Sequence, residues 1–369
     1  GQHLCRCTQV DQQRCAAGEP DTAQSCRDNG TWEHVPCAAC TQTKLENQIV
    51  CPGTTAMKPL TFSVSYDRIV LNATRTAYDT AHPVKAPPRH ALVLLVRYAA
   101  AGGAATVVSA STVGTDGSVT LDVPTKLTAQ DYVVLSTVGY DNADGFAGFA
   151  VLEPSVDGVL PVVPSEALTG QPHSWAKTAV TIAASGSWHI GLANAAATLQ
   201  AYEDVAYTWT TAAEHAWGVR GKTLVVWLRN NTKFDCGTCF SDWPVTVPVL
   251  AKQVQTQIYA STSAKGRVAS PTMQHELGHW AMATYGTSPG EGGTHYLHTK
   301  VPPGMAWSEG WATFFSSMAR GDANYYKMAD TYMFWLNLST ETSSVGFTII
   351  PFEAIGGMVQ FASEVRISA

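Results

Sequence analysis

Two histidines four residues apart are the feature that most limits how this chain can fold. The sequence HELGH occupies 275–279, and its flanks predict a helix over 271–285. On that helix, His275 and His279 project from one face about one turn apart, so both imidazoles can reach a single metal ion. Glu276 lies between them, where a carboxylate can act on a water beside the metal. The alternative is a solvent-facing helix with two ordinary histidines, because five-residue patterns recur by chance.

A second apolar segment offers a third ligand. Residues 307–315 read WSEGWATFF, a helix-compatible stretch in which Glu309 is the charged residue. A carboxylate among apolar neighbours needs a partner, and a metal ion would supply one. Because a catalytic zinc has three protein ligands and an open position, Glu309 is predicted to complete the set. Thr313, one turn later, is predicted to support a ligand histidine through its hydroxyl.

HELGH followed by SEGWATFF resembles the pattern of the gluzincin zinc metallopeptidases, here of a secreted bacterial type. Thermolysin-like peptidases and a class of aminopeptidases share that pattern, in which a second helix brings a Glu-Gly-aromatic-Ala segment to the metal. The resemblance covers about 193–320. It implies Zn²⁺ as cofactor, with His275, His279 and Glu309 as ligands. It also implies a peptide or protein substrate, with Glu276 as the general base of hydrolysis.

The chain departs from that pattern between the two segments. Twenty-nine residues, 280–308, separate His279 from Glu309, so 286–306 is predicted to be an inserted loop. Two histidines in this loop either compete with Glu309 as ligands or lie at the surface. The donor that would stabilise the oxyanion has no sequence signature. Its candidates are three tyrosines and the two loop histidines: Tyr325, Tyr326, Tyr332, His295 and His298.

The cysteines are unevenly distributed. Seven of the nine lie within the first 51 residues, in a segment with almost no hydrophobic pattern. This density predicts a small disulfide-rich module over 1–52 and an extracytoplasmic protein, secreted or at the cell surface. A thiolate zinc knuckle is the alternative. Cys236 and Cys239 are predicted to form a local structural disulfide, because their CxxC does not open a helix after a strand as a redox motif would.

The remaining patterns predict a multidomain α+β protein. Alternating apolar residues and turn signals over 53–160 indicate a β-sandwich of immunoglobulin-like or transthyretin-like kind, with a hairpin at Asp116-Gly117. The segment 161–369 is predicted to be a zincin-like α+β metallopeptidase domain, truncated or processed at its C-terminus. Within it, 194–217 is predicted to be a helix with a core-facing aromatic stripe. A short edge strand at 257–261 is predicted to accept an extended peptide.

Charge and hydropathy exclude two classes of partner. The net charge is −6 with no basic cluster, which argues against nucleic acid. The longest apolar run, 91–96, is closed by Arg97 and is too short to span a bilayer. Two functions remain open. One is a secreted zinc endopeptidase, and the other is an adhesin or binding protein with a structural or vestigial zinc site.

Overall fold

The computed structural model describes five short strands within residues 13–50 and most of residues 56–351. The gaps in the second range are 75–76, 100–103, 142–145, 156–158, 161–168, 216–220, 230–232, 263–268, 294, 296–300, 329–332, 341 and 346–347. The described part is mixed α/β, with more strands than helices. The predicted disulfides of 1–52 lie outside the residues whose side chains are described.

The helices are α1 (Ala179–Ser185), α2 (Leu192–His215), α3 (Ser270–Tyr285) and α4 (Pro303–Arg320), and a 3-10 turn spans Pro248–Leu250. The strands are β1 (Gln13–Cys15), β2 (Thr22–Cys26), β3 (Trp32–Pro36), β4 (Thr41–Gln42), β5 (Ile49–Val50), β6 (Met57–Leu71), β7 (Tyr78–Ala86), β8 (Ala91–Tyr98), β9 (Ala105–Thr112), β10 (Ser118–Pro124), β11 (Asp131–Asp141), β12 (Phe146–Pro154), β13 (Val159–Leu160), β14 (Gly170–Pro172), β15 (Ser174–Thr178), β16 (Ser187–Ile190), β17 (Leu224–Leu228), β18 (Lys233–Phe234), β19 (Cys239–Ser241), β20 (Val245–Val247), β21 (Lys252–Val254), β22 (Thr256–Ala260), β23 (Asn324–Met328), β24 (Met333–Asn337), β25 (Thr342–Val345) and β26 (Thr348–Pro351).

Contacts divide the chain into two compact units, each made of separate stretches. Unit 1 comprises Gly1–Ser65, Ala86–Ala147 and Ser174–Ile190, and unit 2 comprises Tyr66–Lys85, Gly148–His173 and Gly191–Ala369. The sequence instead predicts consecutive domains with boundaries near residues 52 and 160, and those domains remain a prediction.

Unit 1 contains antiparallel strands with alternating burial. Strand β8 pairs with β9 and β11, β11 pairs with β15, and the start of β6 pairs with β10. Val119, Leu121 and Val123 of β10 are buried, as their alternation predicts. Asp116-Gly117 forms a turn in which Gly117 has φ 87°, and a Cβ on Gly117 would lie only 2.8 Å from the Val64 carbonyl oxygen. The prediction of a hairpin is wrong, however, because β10, the strand after this turn, pairs with β6 and not with β9.

In unit 2, a parallel core supports the helices. Strand β17 is fully buried and pairs in parallel with β12 and β22. Strand β22 also pairs, antiparallel, with β19 on its other side. The prediction of an edge strand at 257–261 is therefore wrong, because β22 has β17 on one side and β19 on the other. Among the described strands, β19 occupies that end of the sheet.

Helix α2 holds α3 in place through polar and aromatic contacts. Thr208 Oγ1 donates to Gln274 Oε1 at 2.6 Å, and Gln274 Nε2 donates to the Asp204 carbonyl at 3.1 Å. The rings of Trp209 and Trp280 stack with their centroids 5.2 Å apart. Buried polar groups need such partners, so these bonds select one placement of α3 against α2. The predicted core-facing role of the aromatic stripe is confirmed for Trp209, which is buried.

Candidate metal centre

Helices α3 and α4 approach each other most closely at the glycine of HELGH. A Cβ on Gly278 would lie 2.8 Å from Ala312 Cα and 3.1 Å from Phe315 Cβ. Trp311 Nε1 also donates to the Gly278 carbonyl at 3.0 Å. No larger residue fits this crossing without moving a helix. The sequence predicts no role for Gly278, because it shows only that this glycine lies within the HELGH motif.

The crossing brings three potential ligands together. The ligand atoms of His275, His279 and Glu309 all lie within 4.8 Å of one another. Glu309 Oε2 is 3.0 Å from His275 Nε2 and 3.4 Å from His279 Nε2. Donors bound tetrahedrally to zinc at about 2.0–2.1 Å lie about 3.4 Å apart. The spacing and the donor types therefore fit Zn²⁺, and the three residues are those predicted from the sequence.

Hydroxyl groups on α4 orient both histidines of the cluster. Thr313 Oγ1 is 3.1 Å from His275 Nδ1, and Ser308 Oγ is 3.2 Å from His279 Nδ1. If each Nδ1–H donates to the hydroxyl oxygen, each Nε2 would offer its lone pair to a bound metal ion, whereas in the absence of the ion a protonated Nε2 donates to Glu309. Thr313 lies where the sequence predicts it. The position of Ser308 was not predicted, because its role depends on the angle between the two helices.

The Glu309 carboxylate is held in its charged form. Burial would raise the pKa of Glu309, but hydrogen bonds from three surrounding histidines lower it well below its ordinary value. A charged carboxylate is the form that binds a metal ion. A metal site formed by this cluster would therefore have a negatively charged ligand at physiological pH.

Glu276 and an aromatic ring complete the surroundings of the cluster. Glu276 is buried and follows His275 directly on α3. The ring of Phe240, on β19, stacks on His279 with centroids 6.2 Å apart. A disulfide joins Cys236 to Cys239 at the start of this strand. The edge of the sheet thus lies directly beside one predicted ligand.

The structure separates the predicted oxyanion donors. His295 Nε2 lies 3.2 Å from Glu309 Oε2, so this loop histidine contacts the cluster. Tyr325 packs its ring 5.8 Å from that of His275. Tyr326, one residue later on β23, instead lies under the Arg320 guanidinium at 5.6 Å.

Burial raises the pKa of Tyr326 to about 12, so this phenol stays protonated at physiological pH. Its ring lies against Arg320 rather than a cluster histidine, because successive residues of a strand face opposite sides. The remaining candidates, His298 and Tyr332, lie outside the described residues. Of the five, His295 and Tyr325 are therefore placed next to predicted ligands.

In the described part of the chain, no helix is both long and apolar enough to cross a membrane.

One segment of the chain is similar to a known protein family. Residues 221–348, roughly a third of the chain, match the family model described as Mycolysin C-terminal domain. The matched range includes α3, α4 and the whole ligand cluster. The match relates this part of the chain to metallopeptidases. No curated protein and no solved structure matches the chain.

Proposed function

We propose that this protein is a secreted zinc endopeptidase of the gluzincin type. The observation that carries the proposal is the convergence of His275, His279 and Glu309 where two helices cross. Their donor atoms have the spacing of zinc ligands, and a buried glutamate, Glu276, adjoins them. The relation of this segment to metallopeptidases supports the same reaction class.

Each residue has a distinct task in peptide hydrolysis. His275, His279 and Glu309 would hold Zn²⁺, which when bound polarises a carbonyl group and lowers the pKa of water. Glu276 takes a proton from the attacking water and delivers it to the leaving amine. Thr313 fixes the ring of His275, so that the site is organised before substrate arrives.

Strand β19 offers a place for the substrate. It ends the described sheet, and its Phe240 stacks on His279. We infer that an extended peptide adds to this edge, with backbone hydrogen bonds that require no particular side chain. This arrangement suits an endopeptidase, because the peptide can run past the site in both directions.

The proposed extracytoplasmic location rests on cysteine use. Seven cysteines crowd the first 51 residues, and Cys236 and Cys239 form a disulfide in the structure. Disulfides persist in oxidising compartments and are rare in the cytosol. The relation to a mycolysin domain agrees with a protease that works outside the cell.

Replacing Glu276 with glutamine tests the proposal. Zinc-loaded Glu276→Gln should retain one zinc per chain but cleave denatured casein about 10²–10⁴-fold more slowly, because the general base is lost. Metal analysis and a cleavage assay measure the two effects. Glu153→Gln is the matched control, since its side chain is 46% exposed and lies on β12. Its activity should equal that of the wild type.

Wild-type activity in Glu276→Gln would refute the assignment of the base. A wild-type chain that binds zinc yet cleaves no denatured protein would instead favour the binding-protein alternative, with a structural or vestigial zinc site. Mass spectrometry of the casein products would also show whether cleavage is internal, as an endopeptidase requires.

A further inference from the structure

We propose that the disulfide between Cys236 and Cys239 is a redox switch of the candidate metal centre. When the bond is formed, it holds Phe240 against His279, and when a dithiol reduces the bond, zinc is held less tightly. The inference rests on the metal site of the proposed function and names how that site is regulated. Three features of the chain around β19 carry it.

First, the disulfide adjoins a ring that contacts a predicted zinc ligand. Cys239 is the first residue of β19, and Phe240 follows it directly. The Phe240 ring stacks on the imidazole of His279, with the centroids 6.2 Å apart and the planes inclined by 23°. Because one peptide bond separates the cross-linked residue from this ring, a shift of the backbone at Cys239 also moves the ring that covers His279.

Second, hydrogen bonds anchor the disulfide turn to the sheet, while β19 has few of its own. Ser261, just after β22, donates from Oγ to the Gly237 carbonyl oxygen at 2.6 Å and accepts from Phe234 N at 2.8 Å. Gly237 has φ 79°, a conformation that favours glycine. Strand β19 is only three residues long, and among the described strands its one neighbour is β22. A segment with so few backbone bonds opens easily, so its order depends on the covalent link to the anchored turn.

Third, the cross-link is short and accessible. A disulfide stabilises a fold mainly by closing a loop, and the gain grows with the length of that loop. This bond joins residues only three apart, so its contribution to the stability of the whole fold is small and its effect is local. Cys236 is exposed, so a reductant can reach its sulfur. Exposed disulfides are among those that are reduced most readily.

Reduction of this bond is a two-electron exchange with a dithiol. One thiolate of the reductant attacks Cys236 Sγ, and Cys239 leaves as a thiolate that takes up a proton. The second thiolate of the reductant then attacks the mixed disulfide, releases Cys236 and closes the disulfide of the reductant. The chain gains two electrons and two protons, and the dithiol loses the same number.

The two states of the switch correspond to two compartments. Thiols are kept reduced in the cytosol, and disulfides form and persist after export. With the bond absent, Phe240 is no longer fixed on the imidazole of His279, and this ligand loses an outer partner that restricts its ring. Loss of such a partner lowers metal affinity. The metal centre would therefore reach its full affinity for zinc only outside the cell.

The test measures the rate at which the full chain, loaded with zinc, releases the ion to a chromogenic chelator. A phosphine serves as reductant, because a dithiol would itself bind zinc. Reduced wild type should release zinc about tenfold faster than oxidised wild type, since an outer partner of a ligand is lost. The double variant Cys236→Ser/Cys239→Ser should release zinc at the faster rate without reductant and should not respond to the phosphine. It keeps the seven other cysteines, so this result would assign the switch to Cys236 and Cys239.

A second pair of variants tests whether the effect passes through the ring. Oxidised Phe240→Ala should release zinc as fast as reduced wild type, and reduction should change its rate no further, because two changes that act on one contact are not additive. Thr238→Val is the matched control. It alters the same turn, where the Thr238 hydroxyl donates to the Ser261 carbonyl at 3.4 Å, but keeps the disulfide. It should match the wild type in both redox states.

Two results would overturn the proposal. Equal rates of zinc release from oxidised wild type and from the double variant would make the disulfide a structural link only. Faster release from Phe240→Ala on reduction would show that the effect does not pass through the ring. If the double variant fails to fold, as judged by circular dichroism, Cys236→Ser takes its place and decides between the same outcomes.

The same measurement separates this proposal from the proposed function. Zinc release does not depend on cleavage, so Glu276→Gln should show the same difference between its oxidised and reduced forms as the wild type. A redox-dependent release rate in a wild type that cleaves no protein would support the switch and refute only the peptidase assignment. Cleavage of casein together with a release rate that is independent of redox state would refute only the switch.

Discussion

Two buried carboxylates, one in each compact unit, have opposite kinds of partner. Asp131 of unit 1 receives two hydrogen bonds from Arg97, at 2.6 and 3.0 Å, and two from Thr128, at 2.7 and 3.0 Å. Glu309 of unit 2 is surrounded by imidazoles instead. Arginine is a permanent cation that binds no metal, whereas imidazole ligates metals and exchanges protons.

Both carboxyl groups have lowered pKa values, so the shift alone does not mark a functional site. Burial would raise the pKa of Asp131, but hydrogen bonds from Arg97 and Thr128 lower it below its ordinary value. The same balance of burial and hydrogen bonding lowers the pKa of Glu309. The two carboxylates differ in the groups that contact them. Asp131 accepts hydrogen bonds from Arg97 and Thr128, which bind no metal, while Glu309 is surrounded by imidazoles that can share a metal ion with it.

The largest expected effect is on metal binding at Glu309. Glu309→Gln removes the anionic ligand, and zinc affinity should fall by more than about 100-fold, since losing even an outer partner costs 10–100-fold. Competition with a chelator measures this affinity. Asp131→Asn is the matched control and should bind zinc normally. Full zinc affinity in Glu309→Gln would show that Glu309 is, like Asp131, a structural carboxylate.

The free energy of unfolding should depend on Asp131, the residue whose replacement leaves zinc binding unchanged. Asp131→Asn should reduce the free energy of unfolding by about 2 kcal/mol, because it breaks a bidentate ion pair with Arg97 and leaves the guanidinium partly buried. Urea denaturation followed by fluorescence measures the change.

Lowering the pH should remove the difference in unfolding free energy between the wild type and Asp131→Asn. A carboxyl group whose pKa is lowered by folding stabilises the protein above the unfolded pKa, about 3.9, and loses that contribution as pH falls through the folded value. The gap in unfolding free energy between wild type and Asp131→Asn should therefore be constant at neutral pH and shrink below about pH 4. A gap that persists in acid would mean that the charge of Asp131 does not stabilise the fold.

The smallest expected effect concerns the hydroxyl that orients His275. Thr313→Val keeps the shape of the side chain but removes the partner of His275 Nδ1, so zinc affinity should fall about tenfold. Thr313→Ser retains the hydroxyl and is the control. Equal chelator competition curves for the two variants would show that Thr313 only packs between the helices.

Much of the helical framework follows from the sequence. The helix predicted over 271–285 is confirmed as Ser270–Tyr285, and the one over 194–217 as Leu192–His215. Periodicity predicts these elements well because helical hydrogen bonds join residues four apart. Pairing between strands joins residues far apart in sequence, which explains why the hairpin at Asp116-Gly117 and the edge strand at 257–261 were mispredicted.

In the candidate site, too, the sequence predicts the local arrangement but not the contacts between distant segments. The sequence alone determined that His275 and His279 share a face with Glu276 between them, because the helical repeat fixes that arrangement locally. Only the tertiary structure decided that Gly278 is the point where α3 and α4 approach closely. It also decided that His295, which the sequence left as a ligand, a surface residue or an oxyanion donor, lies against Glu309. A loop has no repeat from which its path can be read, and its position depends on the packing of the helices it joins.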